Sequence, residues 1–169
     1  MLIRLQRYIA FLSVILFAGK LWAWQLTGSV TIFTDALESI VNVIAGFIGL
    51  YSVLLAARPR DLNHPYGHGK AEFVSAAVEG ALIFAAGLLI VYQATKKLLS
   101  PVAVSNIDTG IYITAATGLI NYIAGTYAAR TGVKHRSLAV EAAGKHLQTD
   151  AYSTVGIIVG LLLLKLTNW

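Results

Sequence analysis

Apolar residues run through the chain in long blocks, and most polar residues fall in the gaps between them. Five blocks reach about 20 residues or more, the length a helix needs to cross roughly 30 Å of hydrocarbon. They cover residues 8–26, 30–57, 73–99, 107–129 and 137–166. Two short gaps, "TGS" and "SPVAVSN", and two longer polar ones, "RPRDLNHPYGHGKAE" and "RTGVKHRS", separate them. In lipid every backbone N–H and C=O must be satisfied within its own segment, and strands would alternate in polarity, so the blocks predict helices. The expected fold is all-α: a polytopic membrane helix bundle, with residues 1–169 forming one transmembrane domain.

Two blocks break their own rule by carrying ionisable groups, which are expensive in hydrocarbon. The second contains "TIFTDALESIVNV", where Asp35, Glu38 and Asn42 share a face at 3–4 residue spacing. The fifth contains "HLQTD", which stacks His146 and Asp150 one turn apart. Glu38 lies about eight residues inside its block and His146 about nine, roughly 12–13 Å at 1.5 Å per residue. In antiparallel helices the two pairs therefore meet near one depth. Glu38, Asn42, His146 and Asp150 offer four N/O donors, a set that suits tetrahedral Zn²⁺; imidazole also accepts Co²⁺, Ni²⁺ or Fe²⁺, and the lack of sulfur disfavours Cu(I). The competing expectation is that these polar groups satisfy one another and simply hold helices together. Asp35, nearer the surface, is expected as an auxiliary group, Glu79 as a buried polar contact or vestibule residue, and Lys20 as snorkelling or pairing with an acid.

Composition agrees with a membrane protein: 57% of residues are apolar and 12% charged, against about 25% charged in soluble domains. The absence of cysteine excludes disulfides, thiolate metal sites and iron–sulfur clusters. The net charge of +5 does not imply nucleic acid, because the basic residues sit between apolar blocks and not on a soluble face. Arg4 and Arg7 lead into a first span with no small-residue cleavage site, so no signal peptide is expected. With the N-terminus cytoplasmic, Arg4, Arg7, Arg58, Arg60, Lys70, Arg130, Lys134, Arg136 and Lys145 lie inside, and only Lys96, Lys97 and Lys165 outside. That excess orients the bundle, and Trp22, Trp24 and Trp169 then fall near the outer interface.

The longer gap "DLNHPYGHGKAE" holds a second cluster, Asp61, His64 and His68. Pro65 and Gly67 bend the loop, so both imidazoles and the carboxylate can converge on one metal; the alternative is a solvated loop.

Taken together, "GSVTIFTDALESIVNV", "NHPYGHGKAEF" and "HLQTD" resemble the membrane domain of the cation diffusion facilitator family, over essentially the whole chain. The resemblance implies a homodimeric, proton-coupled exporter of Zn²⁺ or a related divalent ion (Fe²⁺, Co²⁺, Cd²⁺, Mn²⁺), in the cell (inner) membrane. It implies Glu38, Asn42, His146 and Asp150 as the transport site, and Asp61, His64 and His68 as an accessory loop site. Two departures stand out. The helix-two pair of well-known zinc members is Asp or His followed four residues later by Asp, where Glu38 and Asn42 stand here. The family also has six spans and usually a cytoplasmic C-terminal domain, so this chain is expected to be a truncated piece.

With that resemblance, the preferred expectation is a divalent-metal/proton antiporter working by alternating access, in which protons compete with metal for the lone pairs of His146, Glu38 and Asp150. No bond is made or broken, so a transporter is expected and not an enzyme. A haem-binding redox subunit would need paired intramembrane histidines, and His146 stands alone. A non-transporting membrane scaffold or truncated metal-binding fragment is the remaining alternative.

Overall fold

The computed structural model describes residues 1–27, 30–99 and 107–167. It contains five helices: α1 (Leu2–Thr27), α2 (Val30–Ala56), α3 (Lys70–Leu99), α4 (Ile107–His135) and α5 (Leu138–Thr167). The fold is all-helical among the described residues, as the apolar blocks predict. Gly28–Ser29, Ser100–Asn106 and Trp169 lie outside the described residues, as do the side chains of Lys97 and Lys165.

One gap is much shorter than the sequence implies. The stretch "RTGVKHRS" is mostly helix, because α4 continues to His135 and α5 starts at Leu138. Lys134 and His135 in the last turn of α4 complement the negative end of its dipole. The turn then closes as a Schellman motif, with Ser137 N donating to Gly132 O at 2.9 Å and Arg136 N to Val133 O at 3.2 Å. Arg136 takes the left-handed conformation there, φ 54°. The next helix is capped from a distance: Glu72 Oε2, at the start of α3, accepts from Ser137 Oγ at 2.7 Å and from Ala139 N at 3.4 Å.

This tight turn leaves α4 and α5 antiparallel and in the most extensive helix contact of the bundle. Gly118, Gly125 and Gly132 recur every seven residues, two turns, and so line one face of α4. A Cβ on Gly125 would meet Gly144 O at 2.8 Å and Gln148 N at 2.9 Å, while one on Gly144 would strike the backbone of Ala129. Backbones approach this closely only where side chains are absent, as is common between helices in lipid. The remaining helices pack α1 on α2 and α2 on α3, and contacts of α3 and α2 with α5 join the two groups.

The packing is inverted relative to a soluble domain. Phe11, Ile15, Phe47, Tyr51, Phe84 and Leu88 are exposed on the outside, whereas Gln6 and Glu79 are among the largest fully buried side chains. An apolar exterior around polar interior groups fits a hydrocarbon surround. Three helices are long and apolar enough to cross a membrane, over Leu2–Trp22, Asp35–Ala56 and Lys70–Tyr92. Among the described residues α4 and α5 do not reach that mark. In α4 the physical reason is the run of glycines and threonines, with Asn121, that builds its contact face.

Candidate functional site

Where α2 crosses α5, Asn42 bridges the two polar residues of the fifth helix. Its Nδ2 donates to Asp150 Oδ2 at 2.6 Å. Its Oδ1 then faces His146 Nε2 at 2.8 Å, so in this arrangement the ring donates from Nε2. His146 is 4% exposed, and Asn42 and Asp150 are half-buried. The i, i+4 spacing read from the sequence is what allows one amide to reach both groups. Glu38, half-buried, stands one turn before Asn42 on α2. Thus three of the four expected residues are joined directly, and the fourth is on the same helix next to them.

Polar contacts continue along the bundle in both directions. Toward the α1–α2 end, Lys20 Nζ pairs with Asp35 Oδ1 at 2.8 Å and donates to Ser39 Oγ at 2.9 Å. Lys20 therefore pairs with an acid, one of the two roles expected of it, and Asp35 is engaged by that ammonium. A small cavity lined by Ser13, Lys20, Ser39, Asn42 and Asn121 lies between this pair and the bridge. Toward the other end, a second cavity is lined by Asn42, His146, Ser13, Gly46 and Glu79. Glu79, fully buried on α3, accepts from Ser75 Oγ at 3.3 Å through Oε1. It is a buried polar contact, as its position in an apolar block implies.

The loop cluster is built by local turns. Gly67 N donates to His64 O at 2.9 Å, with Pro65 second in that turn, and Gly67 itself has φ 84°, a conformation that glycine adopts without strain. These bends place His64 Nδ1 2.9 Å from Asp61 Oδ1 and His68 Nε2 3.5 Å from Asp61 Oδ2. The imidazole centroids are 4.3 Å apart. Desolvation opposes the charge on Asp61, but hydrogen bonds from the side chain and backbone of His64, with the charges of both imidazoles, outweigh it and hold the carboxyl below its ordinary value of 3.8. Among the described residues, Asp61, His64 and His68 form the one group of three or more His, Cys, Asp or Glu side chains whose ligand atoms lie within 4.8 Å of one another.

The sequence reading did not foresee the Glu72 cap, the Ser39 contact or buried Gln6. Glu72 has a visible signal, an acidic residue opening an apolar block, but its target lies 65 residues away.

Comparison with known proteins agrees with this architecture. An uncharacterized transporter of Synechocystis is 40% identical over 89% of this chain and 48% of its own length. The cation-efflux pump FieF of Pectobacterium atrosepticum is 30% identical over 89% of this chain and 50% of its own, and that of Serratia proteamaculans 31% over 90% and 51%. The chain thus spans about half the length of the curated relatives it matches. The family described as the cation efflux transmembrane domain matches residues 7–169, and this chain belongs to it.

Proposed function

We propose that this chain is the membrane domain of a divalent-cation exporter that exchanges a Zn²⁺-like ion for protons by alternating access. The observation that carries the reading is the Asn42 bridge, which gathers His146 and Asp150 onto α2 inside the bundle. An ion entering there replaces the bridge: His146 Nε2, Asn42 Oδ1 and an Asp150 oxygen turn from one another to the metal, and Glu38 supplies the fourth donor. Each ligand must be deprotonated at the atom that binds, so metal and proton exclude one another. The relatives named as cation-efflux pumps support the direction of transport.

Asp61, His64 and His68 form an accessory site on the loop between α2 and α3, and Asp35, held by Lys20, is an auxiliary group at the far end of the polar file. The excess of basic residues on the side of Arg4, Arg58 and Arg130 supports a cytoplasmic N-terminus in a cell membrane. A homodimer in the bilayer is the expected assembly. The test is exchange in proteoliposomes: an imposed proton gradient drives Zn²⁺ movement, and Zn²⁺ addition moves protons the opposite way. Zn²⁺ movement indifferent to the proton gradient would overturn the antiport.

A further inference from the structure

Two buried polar atoms near the α2–α5 bridge have no hydrogen-bond partner among the described residues. One is Nδ1 of His146, whose other nitrogen faces Asn42; the second is Oε2 of Glu79, whose other oxygen is taken by Ser75. Both side chains line the same cavity, of about 10 Å³, with the apolar Ile9, Ala45, Ala143 and Leu147 around them. That is enough for about one water, and a water needs polar partners such as these to be held there. Buried polar atoms seldom stay unpaired, because leaving one so costs about 1–3 kcal/mol.

We propose that Glu79 is a positioning residue for the His146 ligand: through one water in this cavity, its carboxylate accepts the Nδ1–H of the ring and holds Nε2 as the ligating nitrogen. The proposal rests on the transport-site reading above. In the arrangement described, Nε2 donates to Asn42, and a nitrogen that carries a proton cannot ligate an ion. When the ion arrives, the neutral ring changes tautomer, the Nε2 proton leaving to solvent while one from solvent reaches Nδ1 through the cavity water, so the proton counts of the ring and of Glu79 are unchanged. The Nδ1–H form needs an acceptor on the far side of the ring. Glu79 is the ionisable side chain that α3 supplies to that cavity, α1 supplying Ile9 and Ser13, and α2 Asn42, Ala45 and Gly46. Metal-bound histidines almost always donate their second N–H in this manner, which fixes tautomer and ring orientation. A third helix thereby joins a site whose ligands come from two.

The test follows the His146 nitrogens by NMR in the chain labelled with ¹⁵N-histidine and held in nanodiscs, with Zn²⁺ as the added ion. His146→Ala identifies its signals among those of the four histidines. In the wild type, Zn²⁺ should move Nε2 to a metal-bound shift and leave a hydrogen-bonded Nδ1–H. Glu79→Leu, similar in volume but without an acceptor, should weaken Zn²⁺ binding read at His146 by about 10–100-fold and weaken that Nδ1–H bond. Glu79→Gln keeps a neutral acceptor oxygen in nearly the same shape and should restore part of both effects; it also carries the test if Glu79→Leu does not fold. Wild-type nitrogen shifts and affinity in both variants, or equal loss of affinity in both with the Nδ1–H signal unmoved, would overturn the role of Glu79 while leaving the transport site standing. Zn²⁺ that leaves the wild-type His146 signals unmoved would overturn the transport-site reading and this inference with it.

Discussion

The two polar clusters are opposites in construction. Asp61, His64 and His68 lie within eight residues, on a loop, with Asp61 and His64 about half exposed. Asn42, His146 and Asp150 come from helices more than 100 positions apart in sequence and are shielded inside the bundle. The loop cluster needs only a proline and a left-handed glycine to converge, and its imidazoles already point at one carboxylate. The inner cluster needs α2 and α5 in register, and both ends of the Asn42 amide are spent on Asp150 Oδ2 and His146 Nε2. What this contrast teaches is a division of labour. An exposed site built by a turn takes an ion with little rearrangement, whereas a buried site closed on itself binds only by exchanging one set of bonds for another. On the proposed function, exchange of that kind would couple a metal to a proton.

The sharpest way to break the comparison is to remove the inner nitrogen. His146→Ala deletes the imidazole bonded to Asn42 and strands the Asn42 oxygen. Zn²⁺ affinity at the inner site should fall by more than the roughly 10–100-fold that outer partners of a metal ligand are worth, with the loop site untouched. Isothermal titration with Zn²⁺, showing two classes of site in the wild type and one in the variant, checks this. Retention of both classes would remove His146 from the site.

The reciprocal change should be narrower in its reach. His64→Ala with His68→Ala takes both imidazoles from the loop and should abolish that ion while inner binding persists. Because Asp61, His64 and His68 lie between α2 and α3 and outside both helices, helicity by circular dichroism should not change. Loss of both ions together would mean that the clusters are coupled, contrary to their separate construction.

How much of this was legible in the chain follows from the same contrast. The apolar blocks carry the five helices, with ends matching within about three residues except the start of α1 and the end of α4. Helical spacing puts Glu38 with Asn42 on one stripe of α2 and His146 with Asp150 on one stripe of α5. Convergence of the loop residues is legible too, since turn chemistry is local. What the periodicity does not carry is tertiary: the reach of Glu72 to the start of α5, and the water-sized gap between His146 and Glu79. The turn after α4 is shorter than the polar pattern implies, because residues such as Arg130 and Lys134 look like loop although a helix emerging from lipid keeps its hydrogen bonds into water. The seven-residue spacing of Gly118, Gly125 and Gly132 was present to be read as a contact face.

That glycine face offers a third test, aimed at how α5 is held. Gly144→Ala puts a methyl group against the backbone of Ala129, which has no flexible side chain end to yield. Overpacking of this kind costs about 1–3 kcal/mol. The bundle should melt earlier, and Zn²⁺ affinity at the inner site should drop because Asp150 and His146 ride on the displaced helix. Binding at Asp61, His64 and His68 should stay as in the wild type. A variant that melts earlier yet binds at the inner site as before would show that α2 and α5 hold their register without α4.

The smallest expected effect concerns acid and belongs to the loop alone. Asp61 has its carboxyl held below 3.8 by His64 and His68, so the folded loop favours the ionised form more than an unfolded chain does. The sign follows directly: a depressed carboxylate contributes order that is fully present above the ordinary value and is lost as pH falls through the lower, folded one. The turn at His64 should therefore persist as pH drops from 7 to about 4, the ordinary carboxylate range, and loosen only below it. Hydrogen exchange at the His64 amide, which donates to Asp61 Oδ1 at 2.6 Å, reads this directly. Because the carboxylate is open to solvent, the global melting temperature should hardly move with it. In Asp61→Asn the acid-dependent step in exchange should vanish while the Pro65–Gly67 bend remains, since that bend is set by backbone chemistry and not by charge. An unchanged step in the variant would assign the titration to another group and leave Asp61 a bystander in the loop.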